Sequence, residues 1–168
     1  MADLTLALAG NPNAGKTTIF NLLTGLHQHT GNWPGKTVEK KDGQFEYHGV
    51  TVNVVDLPGT YSLTAYSPEE IITRDFILEQ HPDAIINVVD ATNLERNLYL
   101  TLQILELDVP VVLALNMTDD LSKAGGTIDT GLLSHFLGGI PVVSTAANCG
   151  QGLSELVSKA VDVAGRHP

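Results

Sequence analysis

Short runs rich in aliphatic and β-branched residues alternate along the chain with longer segments of helical periodicity. The runs at residues 4–9, 44–47, 50–55, 84–89, 111–115 and 142–144 predict strands. The intervening periodic segments at 16–23, 68–79, 94–105, 130–137 and 153–163 predict helices. Most of the strands are apolar throughout rather than alternating, the pattern of a sheet covered on both faces. Residues His48 and Gly49 separate the second run from the third, which predicts an antiparallel hairpin at one edge. The expected class is α/β: a mostly parallel six-stranded sheet with one antiparallel edge strand and helices on both faces. In such sheets ligands bind beyond the carboxyl ends of the strands, so the chemistry is expected in those loops.

Four of those loops carry motifs. After the first strand comes Gly10-Asn11-Pro12-Asn13-Ala14-Gly15-Lys16-Thr17, the pattern GxxxxGK[ST] between a strand and a helix. Its backbone N–H groups and the helix N-terminus suit a phosphate chain; Lys16 would reach the β- and γ-phosphates and the Thr17 hydroxyl would hold Mg²⁺. The third strand ends in Asp56-Leu57-Pro58-Gly59, placing a carboxylate for the Mg²⁺ shell and a glycine N–H for the γ-phosphate. The fifth ends in Asn116-Met117-Thr118-Asp119, whose carboxylate can accept both N–H groups of a guanine edge but is left unpaired against adenine. The last ends in Ser144-Thr145-Ala146-Ala147. There Ala146 stands where a buttressing Ser is usual, and the Ala147 N–H is aligned with the guanine oxygen. Either Ser144 or Thr145 could instead supply the hydroxyl. Together these motifs point to a guanine nucleotide.

Composition narrows the setting. A chain of 168 residues fits a single domain with its own core, expected over 1–168. Nine basic against nineteen acidic residues give a net charge of −10, which opposes binding to nucleic acid or an anionic leaflet. No apolar run approaches the roughly 20 residues of a membrane span, and the N-terminus lacks the pattern of a secretory leader. A cytoplasmic domain without direct membrane insertion is expected. Cys149 has no second cysteine to pair with, and His27 and His29 read as polar loop residues without a metal-ligand spacing.

Two further segments, Gly31-Asn32-Trp33-Pro34-Gly35-Lys36-Thr37-Val38-Glu39 and Thr60-Tyr61-Ser62-Leu63 followed by Tyr66-Ser67-Pro68-Glu69-Glu70, resemble the switch regions of ferrous iron transport protein B. The resemblance spans the whole chain and implies a Ras-like P-loop GTPase fold. It does not reach the helical regulatory and polytopic membrane domains of that family, so a fragment of a longer protein is expected, with a free-standing homologue as the alternative. It implies a nucleotide site of Gly10, Asn13, Ala14, Gly15, Lys16, Thr17, Thr18, Gly35, Thr37, Asp56, Gly59, Asn116, Met117, Asp119, Thr145, Ala146 and Ala147. Of these, Lys16, Asn13, Thr37 and Gly59 would serve hydrolysis, with Mg²⁺ held by Thr17, Thr37 and Asp56. Potassium would be an activating ion held by Asn13 and by backbone carbonyls of Gly31 and Trp33; the alternative is that Asn13 only shapes its loop. Thr60 occupies the place of a water-orienting Gln. The implied partners are GTP and GDP, a membrane iron-permease domain of the same polypeptide, and further copies in a nucleotide-dependent oligomer. Two functions remain open at this point: a GTPase regulating ferrous iron passage, or a GTP-dependent binding module with negligible hydrolysis.

Overall fold

The computed structural model describes residues 3–165. A single sheet runs in the order β2-β3-β4-β1-β5-β6-β7. Its strands are β1 (Leu4–Gly10), β2 (Gln28–Asn32), β3 (Glu39–Tyr47), β4 (Val50–Asp56), β5 (Ala84–Asp90), β6 (Val111–Asn116) and β7 (Val142–Ser144). Strands β4, β1, β5, β6 and β7 are mutually parallel, β3 runs against β4, and β2 runs against β3. The sheet therefore has seven strands rather than the expected six, and the antiparallel edge holds two. The added strand, Gln-His-Thr-Gly-Asn, has no apolar signature. It forms because β3 begins at Glu39, five residues earlier than expected, and offers an edge for backbone pairing from Gln28↔Gly43 to Asn32↔Glu39.

The helices are α1 (Lys16–Thr24), α2 (Pro68–Gln80), α3 (Leu94–Leu105), α4 (Thr118–Lys123), α5 (Thr130–Phe136) and α6 (Leu153–Gly165). Side chains of β1 alternate between the two faces. Leu6 and Leu8 join Ile19 and Phe20 of α1 and Leu156 and Ala160 of α6. Ala7 and Ala9 join Ile72 and Ile77 of α2 and Leu100 and Ile104 of α3. Both faces are thus sealed by helices, as the uninterrupted apolar strands required. No helix among the described residues is long and apolar enough to cross a membrane.

Strand β1 lies between β4 and β5, so the chain leaves its carboxyl end where the winding reverses direction. That is the switch point at which open α/β sheets bind ligands. The carboxyl ends of β1, β4, β5, β6 and β7 deliver Gly10, Asp56, Asp90, Asn116 and Ser144 to the same side.

Candidate functional site

The loop from Gly10 to Gly15 enters α1 without the usual cap. Gly15 precedes the helix at φ 95° with no side-chain cap bond, and the first turn holds no acidic residue. The orphan N–H groups of that turn, with the positive end of the helix dipole, face a cavity of about 490 Å³. Asn11, Pro12, Asn13, Gly15, Lys16, Thr17, Thr18, Gly59 and Met117 line it. By contrast α2 is closed at the same point: Ser67 accepts from the Glu70 N–H, and Glu70 in turn accepts from the Ser67 hydroxyl. The start of α1, unlike that of α2, is therefore open to an anion.

A single buried amide joins the motifs. Asn116, at the end of β6, donates from Nδ2 to the Ala14 carbonyl at 3.0 Å. Its Oδ1 accepts from the Thr145 hydroxyl at 2.9 Å and from the Ala147 N–H at 3.1 Å. The side chain of a residue 102 positions away thereby fixes the phosphate loop to the last loop of the sheet. Gly15 has to lack a side chain here, since a Cβ would stand 2.1 Å from Asn116 Nδ2. Thr118 completes the tie by donating both its N–H and its hydroxyl to the Thr145 carbonyl, at 3.2 and 2.8 Å. Of the two candidate hydroxyls, the structure uses Thr145 on Asn116 and leaves Ser144 exposed. The Ala147 N–H, expected at the base, is directed to Asn116 in this arrangement. Ala146 is fully buried and exchanges backbone bonds with Gln151.

Asp119 stands just beyond, with Oδ1 buried and without a hydrogen-bond partner. Cys149 Sγ lies 3.8 Å from its Oδ2. Desolvation raises the carboxyl pKa, but hydrogen bonds from the Asn148 side chain and the amides of Asp120 and Asp119 itself, with the charge of Lys123, together outweigh it, so the net shift is downward. An ionised carboxylate with an unpaired oxygen is an acceptor prepared for N–H donors.

Lys16 and Asp56 form a buried ion pair inside the site. Burial raises the Asp56 carboxyl above its ordinary value, against the lowering pull of Lys16. The Asp56 carboxylate with the Thr17 hydroxyl makes an all-oxygen donor set, one carboxylate strong, which suits Mg²⁺ completed by phosphate oxygens and water. No group of three or more His, Cys, Asp or Glu side chains among the described residues could hold a metal unaided. His29, expected in a polar loop, sits on the exposed edge strand β2.

The segment after Asp56 stays docked on β1. Leu57 donates to Leu8 at 3.0 Å and Thr60 to Gly10 at 3.1 Å. Gly59 is thereby pressed against Pro12, where a Cβ would find Pro12 atoms at 3.2 to 3.3 Å. The Thr60 hydroxyl is buried with no partner. From α2, Glu70 accepts from Ser62 Oγ, Thr64 Oγ1 and the Thr64 N–H at 2.7, 2.8 and 3.1 Å. Those bonds, Ser62 foremost, hold its carboxyl below the usual value.

The first switch is elsewhere. Gly31 belongs to β2, and Gly35 and Thr37 are exposed and do not line the phosphate cavity. Trp33 is buried in a crevice against α2, edge-on to Phe76 at 5.7 Å with Lys40 Nζ 4.9 Å from its ring. Among the residues expected around a monovalent cation, only Asn13 faces the cavity.

A phosphate-cradling loop, a buried Asp behind it and a base-side carboxylate on one parallel sheet define a P-loop domain of the guanine-nucleotide kind. Residues 4–160 match the family model described as ferrous iron transport protein B. The chain is 53% identical over 160 residues to the Fe(2+) transporter FeoB of Salmonella typhimurium, covering 93% of this chain and 21% of that protein. It superposes on the cytosolic domain of the T. maritima FeoB iron transporter in a GDP form, with TM-score 0.94, 49% identity and coverage of 98% and 64%. The GMPPNP form of the same domain gives 0.94 and 49%, with coverage of 98% and 65%. The chain belongs to the ferrous iron transport protein B family, and its fold is that family's GTP-binding P-loop domain. It spans about a fifth of the length of the curated relatives it matches.

Proposed function

We propose that this domain binds GTP with Mg²⁺ and hydrolyses it to GDP, and that its nucleotide state regulates ferrous iron passage through a membrane domain of a longer polypeptide. The observation that carries the reading is the Asn116 amide, which couples the phosphate loop at Ala14 to the base loop at Thr145 and Ala147. Only a ligand with phosphates at one end and a base at the other uses both loops. Its span runs from the uncapped start of α1 to the unpaired oxygen of Asp119.

In this reading Lys16 exchanges Asp56 for β- and γ-phosphate oxygens, and Asp56 with Thr17 turns to the divalent ion. Mg²⁺ bound there supplies charge neutralisation across the phosphates. Gly59, already at the cavity wall, offers its N–H to the γ-phosphate. Asp119 accepts the guanine N–H groups, with Met117 beside the ring. Gly10, Gly15 and Thr18 shape the phosphate end, while Ala146 and Ala147 close the base end. Thr37, Gly35, Gly31 and Trp33 would join only after Trp33 leaves its crevice and the segment repacks over the nucleotide, a switch of the kind that the γ-phosphate drives in proteins of this class. Asn13 would help hold K⁺, which would supply positive charge where the transition state accumulates negative charge.

The buried position of Trp33 away from the cavity equally favours the second reading, a switch module in which hydrolysis only resets the state. Phosphate release measured with Mg²⁺ in matched KCl and NaCl separates the two. K⁺-stimulated turnover in the isolated domain, lost in Asn13→Ala with GDP affinity retained, supports the enzyme. Negligible turnover in both salts leaves the module, and equal rates in both remove the cation from the mechanism.

A further inference from the structure

Beyond Gly59, residues 60–64 make a second set of contacts that nucleotide binding does not require. The guanidinium of Arg96 lies over the Tyr61 ring, Cζ 4.6 Å from its centroid. Two helical turns along α3, Gln103 Oε1 accepts the Leu63 N–H at 2.7 Å. Positions 96 and 103 fall on one face of α3, so one helix grips two residues of the segment. Arg96 forms no ion pair among the described residues, which leaves its charge to the aromatic face. Tyr61 and Arg96 also wall a polar cavity of about 190 Å³ whose opposite side is the back of the phosphate loop at Asn11, Asn13 and Ala14. Asn11 Oδ1, in that wall, is buried and without a partner.

We propose that Arg96, acting through Tyr61 and assisted by Gln103, is a positioning residue that holds the Gly59–Thr60 backbone at the phosphate end for hydrolysis; this rests on the GTPase reading. The segment carries no Gln at 60, and the one hydroxyl there is buried. The attacking water then has to be ordered by backbone groups of 59 and 60, whose placement is only as good as their anchors. Upstream the anchor is the Thr60 N–H on Gly10; downstream it is Tyr61 under Arg96. In the GTPase reading Gly59 meets the γ-phosphate, which a diphosphate lacks, so the latch acts on the γ-phosphate step.

The test is a double-mutant cycle in the domain as it stands, with Arg96→Ala, Tyr61→Ala and the pair, plus Tyr61→Phe as the variant that keeps the ring. The readouts are kcat, KM for GTP, GDP affinity and thermal unfolding. Each alanine variant lowers kcat roughly three- to tenfold, the scale of one cation–π contact together with the order it maintains. KM, GDP affinity and Tm stay within twofold or 2 °C on the order of measurement error, the pair is no worse than either single variant, and Tyr61→Phe recovers most of the rate. Additive losses, or GDP affinity falling in step with kcat, overturn the latch. So does a loss of about a hundredfold or more in Arg96→Ala alone, which marks a group touching the phosphate itself. Should the wild-type domain fail to hydrolyse GTP, the GTPase reading falls separately. The latch is then read from amide hydrogen exchange of residues 59–64 in the GMPPNP-bound domain, where protection unchanged in Arg96→Ala and Tyr61→Ala contradicts it.

Discussion

Replacing Asn116 by Ala removes all three hydrogen bonds of the amide that joins the two ends of the site. The side chain is 3% exposed and the Thr145 side chain it serves is fully buried, so water cannot substitute freely. Three net bonds at about 1 kcal/mol each, with further cost for leaving the Thr145 hydroxyl and the Ala147 N–H unpaired, give a loss of roughly 3–5 kcal/mol. For a domain of this size that lowers Tm by about 6–20 °C. The phosphate loop also loses its only side-chain tether to β6 among the described residues, so GDP affinity falls roughly ten- to a hundredfold. Asn116→Asp discriminates further: it keeps an acceptor for Thr145 and Ala147 but turns a carboxylate oxygen toward the Ala14 carbonyl, so affinity falls more than stability. Thermal unfolding by circular dichroism and GDP titration by calorimetry measure both quantities. A Tm within 2 °C of wild type on the order of measurement error, with unchanged GDP affinity, refutes the central place given to this amide.

Asp119→Asn replaces an acceptor by a donor at the unpaired oxygen; GTP affinity drops by about one to two decades while XTP affinity rises, and equal preference in both proteins refutes base reading there. Thr60→Ala leaves the hydrolysis rate within a few-fold, because the hydroxyl is buried and bonds nothing; a hundredfold loss with intact GDP binding shows Thr60 to be catalytic. Ala146→Ser adds a hydroxyl to the last loop and slows GDP release in stopped-flow; unchanged or faster release shows that Thr145 already supplies all the support this loop uses.

Local spacing carried much of this into the sequence. The phosphate loop, the Asp56 and Asn116 strand ends and the helix over 94–105 follow from motif and periodicity, since each is a contiguous stretch answering to one strand or helix. What was hidden depends on contacts between distant positions. Gln28–Asn32 reads as a polar loop because its strand character comes from pairing with β3, and Glu39 to Asp42 look solvated for the same reason. The short α4 was missed because six residues opening on Thr118 show no apolar stripe. The Lys16–Asp56 pair and the Asn116–Ala14 bond link residues 40 and 102 positions apart, which no window along the chain contains. Trp33 was placed in a mobile first switch; its packing on Phe76 shows where that segment rests.

Phosphate release from GTP and from ATP, at equal concentration with Mg²⁺ in potassium buffer, tests most directly whether this is a guanine-nucleotide hydrolase. Turnover of GTP at least about a hundredfold faster than of ATP is expected, since adenine leaves the Asp119 carboxylate desolvated and unpaired. Equal rates, or faster release from ATP, would contradict it.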